Sequence, residues 1–129
     1  MLVVDASIVA STLDAGRSFD WLGDELHAPA LMWSETRATL HRSTWRRTLS
    51  PERGLALLDR LHHCKIRAHR DGKLGAEAWR IADELGWART YDAEYVALAS
   101  LLDCRLVTLD GRLRRDADRL GFVVTPSEL

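Results

Sequence analysis

Four carboxylates stand where strand ends and helix starts would bring them together: Asp5, Glu35, Asp92 and Asp110. Asp5 closes the β-branched run Leu2-Val3-Val4 and Asp110 closes the run Arg105–Leu109, whereas Asp103 precedes that run and belongs at the opposite end of its strand. Ligands of open α/β sheets bind beyond the carboxyl ends of the strands, at a topological switch point, so position rather than residue type singles out Asp5 and Asp110. Asp92 opens a helix leading into the second of these strands, where the helix dipole favours a carboxylate by about 0.3–1 kcal/mol. Glu35 has Leu31, Met32, Ala38 and Thr39 as helical neighbours and none is cationic, which puts it on a partly apolar stripe in need of a partner. Two carboxylates about 4 Å apart repel by roughly 4 kcal/mol at an effective dielectric of 20, which disfavours full ionisation of a converging set without a cation. Oxygen-rich ligation of this kind suits Mg²⁺, with Mn²⁺ as a substitute. Three of the acids also have an ordinary alternative: Asp5 as cap of the following helix, Asp92 as a first-turn acid, Asp110 as a turn residue before Gly111. The joint pattern is much harder to explain that way.

The elements that must position these residues follow from hydropathy spacing. Leu2–Val4 reads as a strand and Ala6–Leu13 as a helix. Arg17–Leu26 reads as a short helix with Phe19, Leu22 and Leu26 on one side, and Pro29 marks the start of a longer helix from Leu31 to about Thr48. Ser50-Pro51 opens a helix over 51–62, Lys65–His69 is a short strand, and Gly72–Leu85 and Thr90–Leu102 are helices. Arg105–Leu109 is a strand, followed by a polar, Arg-rich helical stretch to Leu120 and a last strand at Phe122–Val124. Short strands alternating with helices imply right-handed crossovers, hence an α/β fold with a mostly parallel sheet flanked by helices on both faces. A length of 129 residues fits one domain over 1–129.

Composition narrows the class. Hydrophobic residues at 47% and charged residues at 29% exclude a disordered or low-complexity chain. No apolar run reaches the roughly 20 residues needed to cross a bilayer, and the amino terminus lacks a basic signal-peptide region, so a cytoplasmic location is expected. Cys64 and Cys104 have no CxxC partner and read as reduced packing residues. The net charge of -1 argues against non-specific coating of nucleic acid, yet residues 31–70 carry nine bases against three acids. Arg37, Arg42, Arg46 and Arg47 give the long helix a cationic side. Arg112, Arg114 and Arg115 form a second cluster beyond Asp110, close enough to the crevice to guide a phosphate, although Asp116 and Asp118 interleave with them. His62-His63-Cys64 is a poor metal site because adjacent helical residues point about 100° apart. The five Trp, at 21, 33, 45, 79 and 87, read as core or interface residues.

Val3-Val4-Asp5-Ala6-Ser7, Ala28-Pro29-Ala30-Leu31 with Ser34-Glu35, Thr90-Tyr91-Asp92-Ala93-Glu94-Tyr95-Val96-Ala97-Leu98-Ala99 and Leu106-Val107-Thr108-Leu109-Asp110-Gly111-Arg112-Leu113 resemble, in order, the four signature segments of PIN-domain nucleases. They resemble in particular the VapC toxins of bacterial VapBC toxin-antitoxin modules. The resemblance implies a metal-dependent endoribonuclease in which Asp5, Glu35, Asp92 and Asp110 hold Mg²⁺ or Mn²⁺ and activate water, with Ser7 and Thr108 in supporting positions. It further implies tRNA or another structured RNA as substrate, a VapB-type antitoxin as partner and a homodimer. Trp33, Trp45, Leu49 and Leu57 are surplus to one side of a core and mark a candidate interface for that partner. Two other classes remain open: a catalytically silent PIN-like binding module, and a phosphoacceptor receiver-type signalling domain. The receiver fits poorly, because Asp5 is followed by Ala6-Ser7 rather than a second acid and only Lys65 and Lys73 are present.

Overall fold

The first strand of the chain lies in the middle of the sheet. In the computed structural model, which describes residues 1–23 and 25–129, β1 (Leu2–Val4) pairs with β2 (Leu26–Pro29) on one side and β4 (Arg105–Val107) on the other. β3 (Ile66–His69) lies outside β2, and β5 (Val123–Val124) outside β4. The order β3-β2-β1-β4-β5 is parallel throughout. Val3, Val4, Leu106 and Val107 are wholly buried, as strands covered on both faces require, and this explains their unbroken rather than alternating apolar sequence.

Among the described residues six α-helices connect the strands: α1 (Ala6–Asp14), α2 (Leu31–Trp45), α3 (Pro51–His62), α4 (Gly72–Leu85), α5 (Tyr91–Leu102) and α6 (Gly111–Asp116). α1, α2 and α3 pack on one another, whereas α5 pairs with α4 and lies across β1, β2 and β4. Right-handed crossovers account for the grouping. From β1 the chain moves outward through β2 to β3, then returns across the sheet to β4, and that reversal sends α4, α5 and α6 to the other face. The carboxyl ends of β1 and β4, which diverge in opposite directions, form the switch point.

The segment expected as a helix over Arg17–Leu26 is different. Phe19–Leu22 is one 3-10 turn capped by Ser18 and closed by Gly23 at φ 108°, and Leu26 already belongs to β2; Asp24 lies outside the described residues. All four residues of β2 are buried. Its tip is fixed by Ala30 N–H, which donates to the His69 carbonyl at 2.8 Å. β4 also stops two residues earlier than expected, because Leu109 N–H turns away from the sheet and donates to Ser7 Oγ at 3.0 Å. α2 ends at Trp45 rather than near Thr48, with Arg47 at φ 61° just beyond. Of the residues expected to be surplus apolar surface, Leu57 is fully buried and Trp33 and Leu49 pack against the core, which leaves Trp45 exposed.

Candidate active site

Register places the site. Val4 pairs with Val107, so the next residues, Asp5 and Thr108, leave the sheet side by side. Thr108 Oγ1 donates to Asp5 Oδ2, and Ser7 Oγ donates to Oδ1 at 2.5 Å. The Ile8 N–H, at 3.1 Å, makes Asp5 the cap of α1 as well. Capping and site roles therefore coincide in one carboxylate. Both hydroxyls are tied in turn: Ser7 Oγ accepts from Leu109 N–H, and Thr108 Oγ1 accepts from Asp110 N–H at 2.9 Å. Burial raises the pKa of Asp5 above its ordinary value against the pull of these donors, and the charge of Asp110 adds to the rise.

Asp110 caps α6, its Oδ1 accepting from Arg112 N–H at 2.9 Å and Leu113 N–H at 3.3 Å. Glu35, in the second turn of α2, is half-buried and accepts from the Tyr95 hydroxyl at 2.5 Å. Desolvation raises its pKa, as do Asp92 and Asp5, while Tyr95 opposes the rise. Burial, together with the same bond, drives the Tyr95 phenol far above its usual range. Asp92 lies in the first turn of α5; burial raises its pKa, Arg112 lowers it, and Asp110 and Asp116 raise it further. The Arg112 guanidinium stands 3.3 Å from Asp92 Oδ2. Glu94, also raised by burial and by Glu35, borders the group.

The structure thus brings Asp5, Glu35, Asp92 and Asp110 within electrostatic reach of one another at the switch point. Among the described residues no three Asp, Glu, His or Cys side chains form a ready-made metal cage. The donors are all carboxylate oxygens and hydroxyls, which suits a hard cation that keeps much of its water and takes only one or two carboxylates directly. Asp103 caps the far end of α5 and precedes β4, at the opposite edge of the sheet. Of the basic cluster beyond Asp110, Arg112 turns to Asp92, Arg114 is held by Asp118 at 2.5 Å and Glu128 at 3.0 Å, and Arg115 is exposed. Tyr95 escaped notice as a site residue, since a tyrosine on an apolar helix reads as core. The signal was its place one turn beyond Asp92 on α5.

The family model described as PIN domain matches residues 2–118. A VapC ribonuclease of Mycobacterium bovis and ribonuclease VapC9 of Mycobacterium tuberculosis are each 36% identical to the chain over 115 residues, covering 88% of it and 88% of themselves. Among solved structures, PAE2754 from Pyrobaculum aerophilum superposes with a TM-score of 0.74 at 22% identity, covering 98% of this chain and 90% of its own. VapC20 of Mycobacterium tuberculosis, described as a Sarcin-Ricin loop cleaving toxin, superposes at 0.64 with 18% identity over 95% and 97%. A toxin-antitoxin complex from Klebsiella pneumoniae gives 0.66 at 16% identity over 98% of both chains. A match over nearly the whole fold, joined to more than a third identity with VapC ribonucleases, makes this chain a member of the PIN-domain family and of its VapC branch.

Proposed function

We propose that the chain is an endoribonuclease dependent on Mg²⁺ or Mn²⁺, and the toxin of a toxin-antitoxin pair, with tRNA or another structured RNA as substrate. The observation that carries this reading is the buried Asp5 carboxylate, aimed out of the sheet by Ser7, Thr108 and the α1 amino terminus, with three further acids around it. Chemistry requires a group that tolerates such crowding, and membership of the PIN family removes the receiver-type alternative. Asp5 with Asp92, Asp110 or Glu35 would hold a divalent ion, which would supply a lowered pKa for bound water and charge to offset that of the phosphorane-like transition state. The chain's own part is orientation. Asp5 is fixed at both oxygens, Tyr95 holds the Glu35 carboxylate, and Arg112 offsets the charge of Asp92.

An antitoxin of VapB type is proposed as the partner, in keeping with relatives named VapC and with the Klebsiella structure solved as a complex. Its seat is the furrow of about 850 Å³ between α2 and α3, where Ala38, Leu40, Trp45, Leu55 and Leu58 are flanked by Arg37 and Arg42. Glu35, Ala38, Arg42 and Trp45 share one helical stripe, so a segment lying there is led toward the acids. A homodimer is part of the same proposal.

Asp5→Asn should abolish Mg²⁺-dependent RNA cleavage while circular dichroism shows an unchanged fold, and Asp103→Asn should cleave like the wild type. Undiminished cleavage by Asp5→Asn would remove the carboxylate mechanism. A wild-type protein that binds no Mn²⁺ in a calorimetric titration would instead favour the silent binding module.

A further inference from the structure

Beside the acids lies a hollow of about 480 Å³ that shares Glu35 and Asp92 with them and is otherwise formed by Trp87, Arg89, Tyr91, Arg112 and the buried Leu113 among its lining residues. Its volume lies within the range of small-ligand sites. The backbone that carries the two aromatic residues is fixed at both ends. Gly86, at φ 71°, ends α4, with its N–H on the Asp83 carbonyl at 3.3 Å and the Trp87 N–H on the Ala82 carbonyl at 2.8 Å. This left-handed helix ending fixes the backbone of Trp87. Tyr91 is the first residue of α5, whose following turns are buried in the core. Yet Tyr91 is 58% exposed, so the core does not use it. Arg89, on the segment between the two helices, is exposed and has no carboxylate partner among the described residues.

Aromatic faces beside an uncommitted guanidinium and a cluster of acids suited to phosphodiester hydrolysis form one chemical pattern. Bases of any identity stack on an aromatic ring, and arginine meets the accompanying phosphate. We propose that this hollow receives an unstacked nucleobase next to the phosphodiester bond to be cut, stacked on Tyr91 against Trp87, with Arg89 on the flanking phosphate. The inference rests on the ribonuclease reading and refines it: the base beside the cut is held out of its stack by this chain's own side chains, Tyr91 and Trp87. Tyr91 and Trp87 are positioning residues here. They bind the base and leave the water-activating acids untouched.

Sequencing of the 5′ ends of fragments of total bacterial RNA treated with the wild-type protein and Mg²⁺ supplies a cleaved site. A short RNA carrying that site is then made in versions with one abasic ribose at each position in turn. With the wild type, one abasic position beside the cut should slow cleavage by roughly tenfold, the order expected for loss of one stacked base. With Tyr91→Ala the intact RNA should be cleaved about as slowly, and the abasic change at that position should cost nothing further, while Tyr91→Phe, which keeps the ring, should behave as wild type. A purely structural role for Tyr91 would slow every RNA equally and leave the abasic penalty in place. That result, with RNA still cleaved, overturns the base pocket and spares the ribonuclease; absence of any cleavage by the wild type overturns both.

Discussion

Glu35 is a charge half withdrawn from water, with two other acids contributing to its rise in pKa and one phenol opposing it. A carboxyl whose pKa is raised by folding binds its proton more tightly in the folded state. Its ionised form therefore costs stability above the folded pKa, and that cost fades as the pH falls to the unfolded value. Glu35→Gln keeps an oxygen for the Tyr95 hydroxyl and removes the charge. In chelator, the variant should melt above the wild type at neutral pH, and the two melting curves should converge as the pH approaches the ordinary glutamate value of 4.5. A variant that melts lower at neutral pH would mean that the charged hydrogen bond with Tyr95 outweighs the repulsion. The same residue shows what sequence conveys about a site. The absence of a cation at helical spacing from Glu35 pointed inward correctly, but Tyr95 stands 60 residues away and no spacing rule reaches it.

At the scale of elements, the helices with strong punctuation were legible to the residue. Ser50-Pro51 opens α3, with Ser50 Oγ accepting from Arg53 N–H at 3.1 Å, and Asp71 and Gly86 bracket α4. β2 was not legible, because a four-residue strand buried on both faces has no alternation to display and His27 and Pro29 occupy half of it. Two glycines within these helices give a sharper test of element packing. A Cβ on Gly54 would fall well inside contact with the Thr44 methyl, and Thr44 is held by its hydroxyl on the His41 carbonyl at 2.7 Å. A Cβ on Gly75, in α4, meets nothing within 4 Å. Gly75→Ala should thus stabilise the protein by up to about 1 kcal/mol through helix propensity. Gly54→Ala should lower the melting temperature, since overpacking of about 1–3 kcal/mol pushes α3 from α2 and exceeds that gain. Thermal melts of the two variants against the wild type check both signs at once.

For the molecule as a whole, the α2–α3 furrow and one of the acids, Glu35, lie along the same helix, so a partner seated in the first is placed to act on the second. An antitoxin segment that extends a basic side chain to the carboxylates competes with the metal, and linkage makes the competition mutual. Isothermal titration should then give weaker Mn²⁺ binding to the complex than to the free toxin, and Leu55→Asp, at a site 67% exposed, should weaken the complex by at least tenfold. Equal metal affinity in both states would mean that the partner blocks RNA from a distance. The central place of β1 has a further result, in the time order of synthesis. Asp5 is made well before the hydroxyl that orients it, which belongs to Thr108, 103 residues later, and its strand neighbour β4 arrives only just before that. A contact of such long range forms late. The pairing that orients Asp5 therefore cannot close until β4 and Thr108 have left the ribosome, whatever has folded before them.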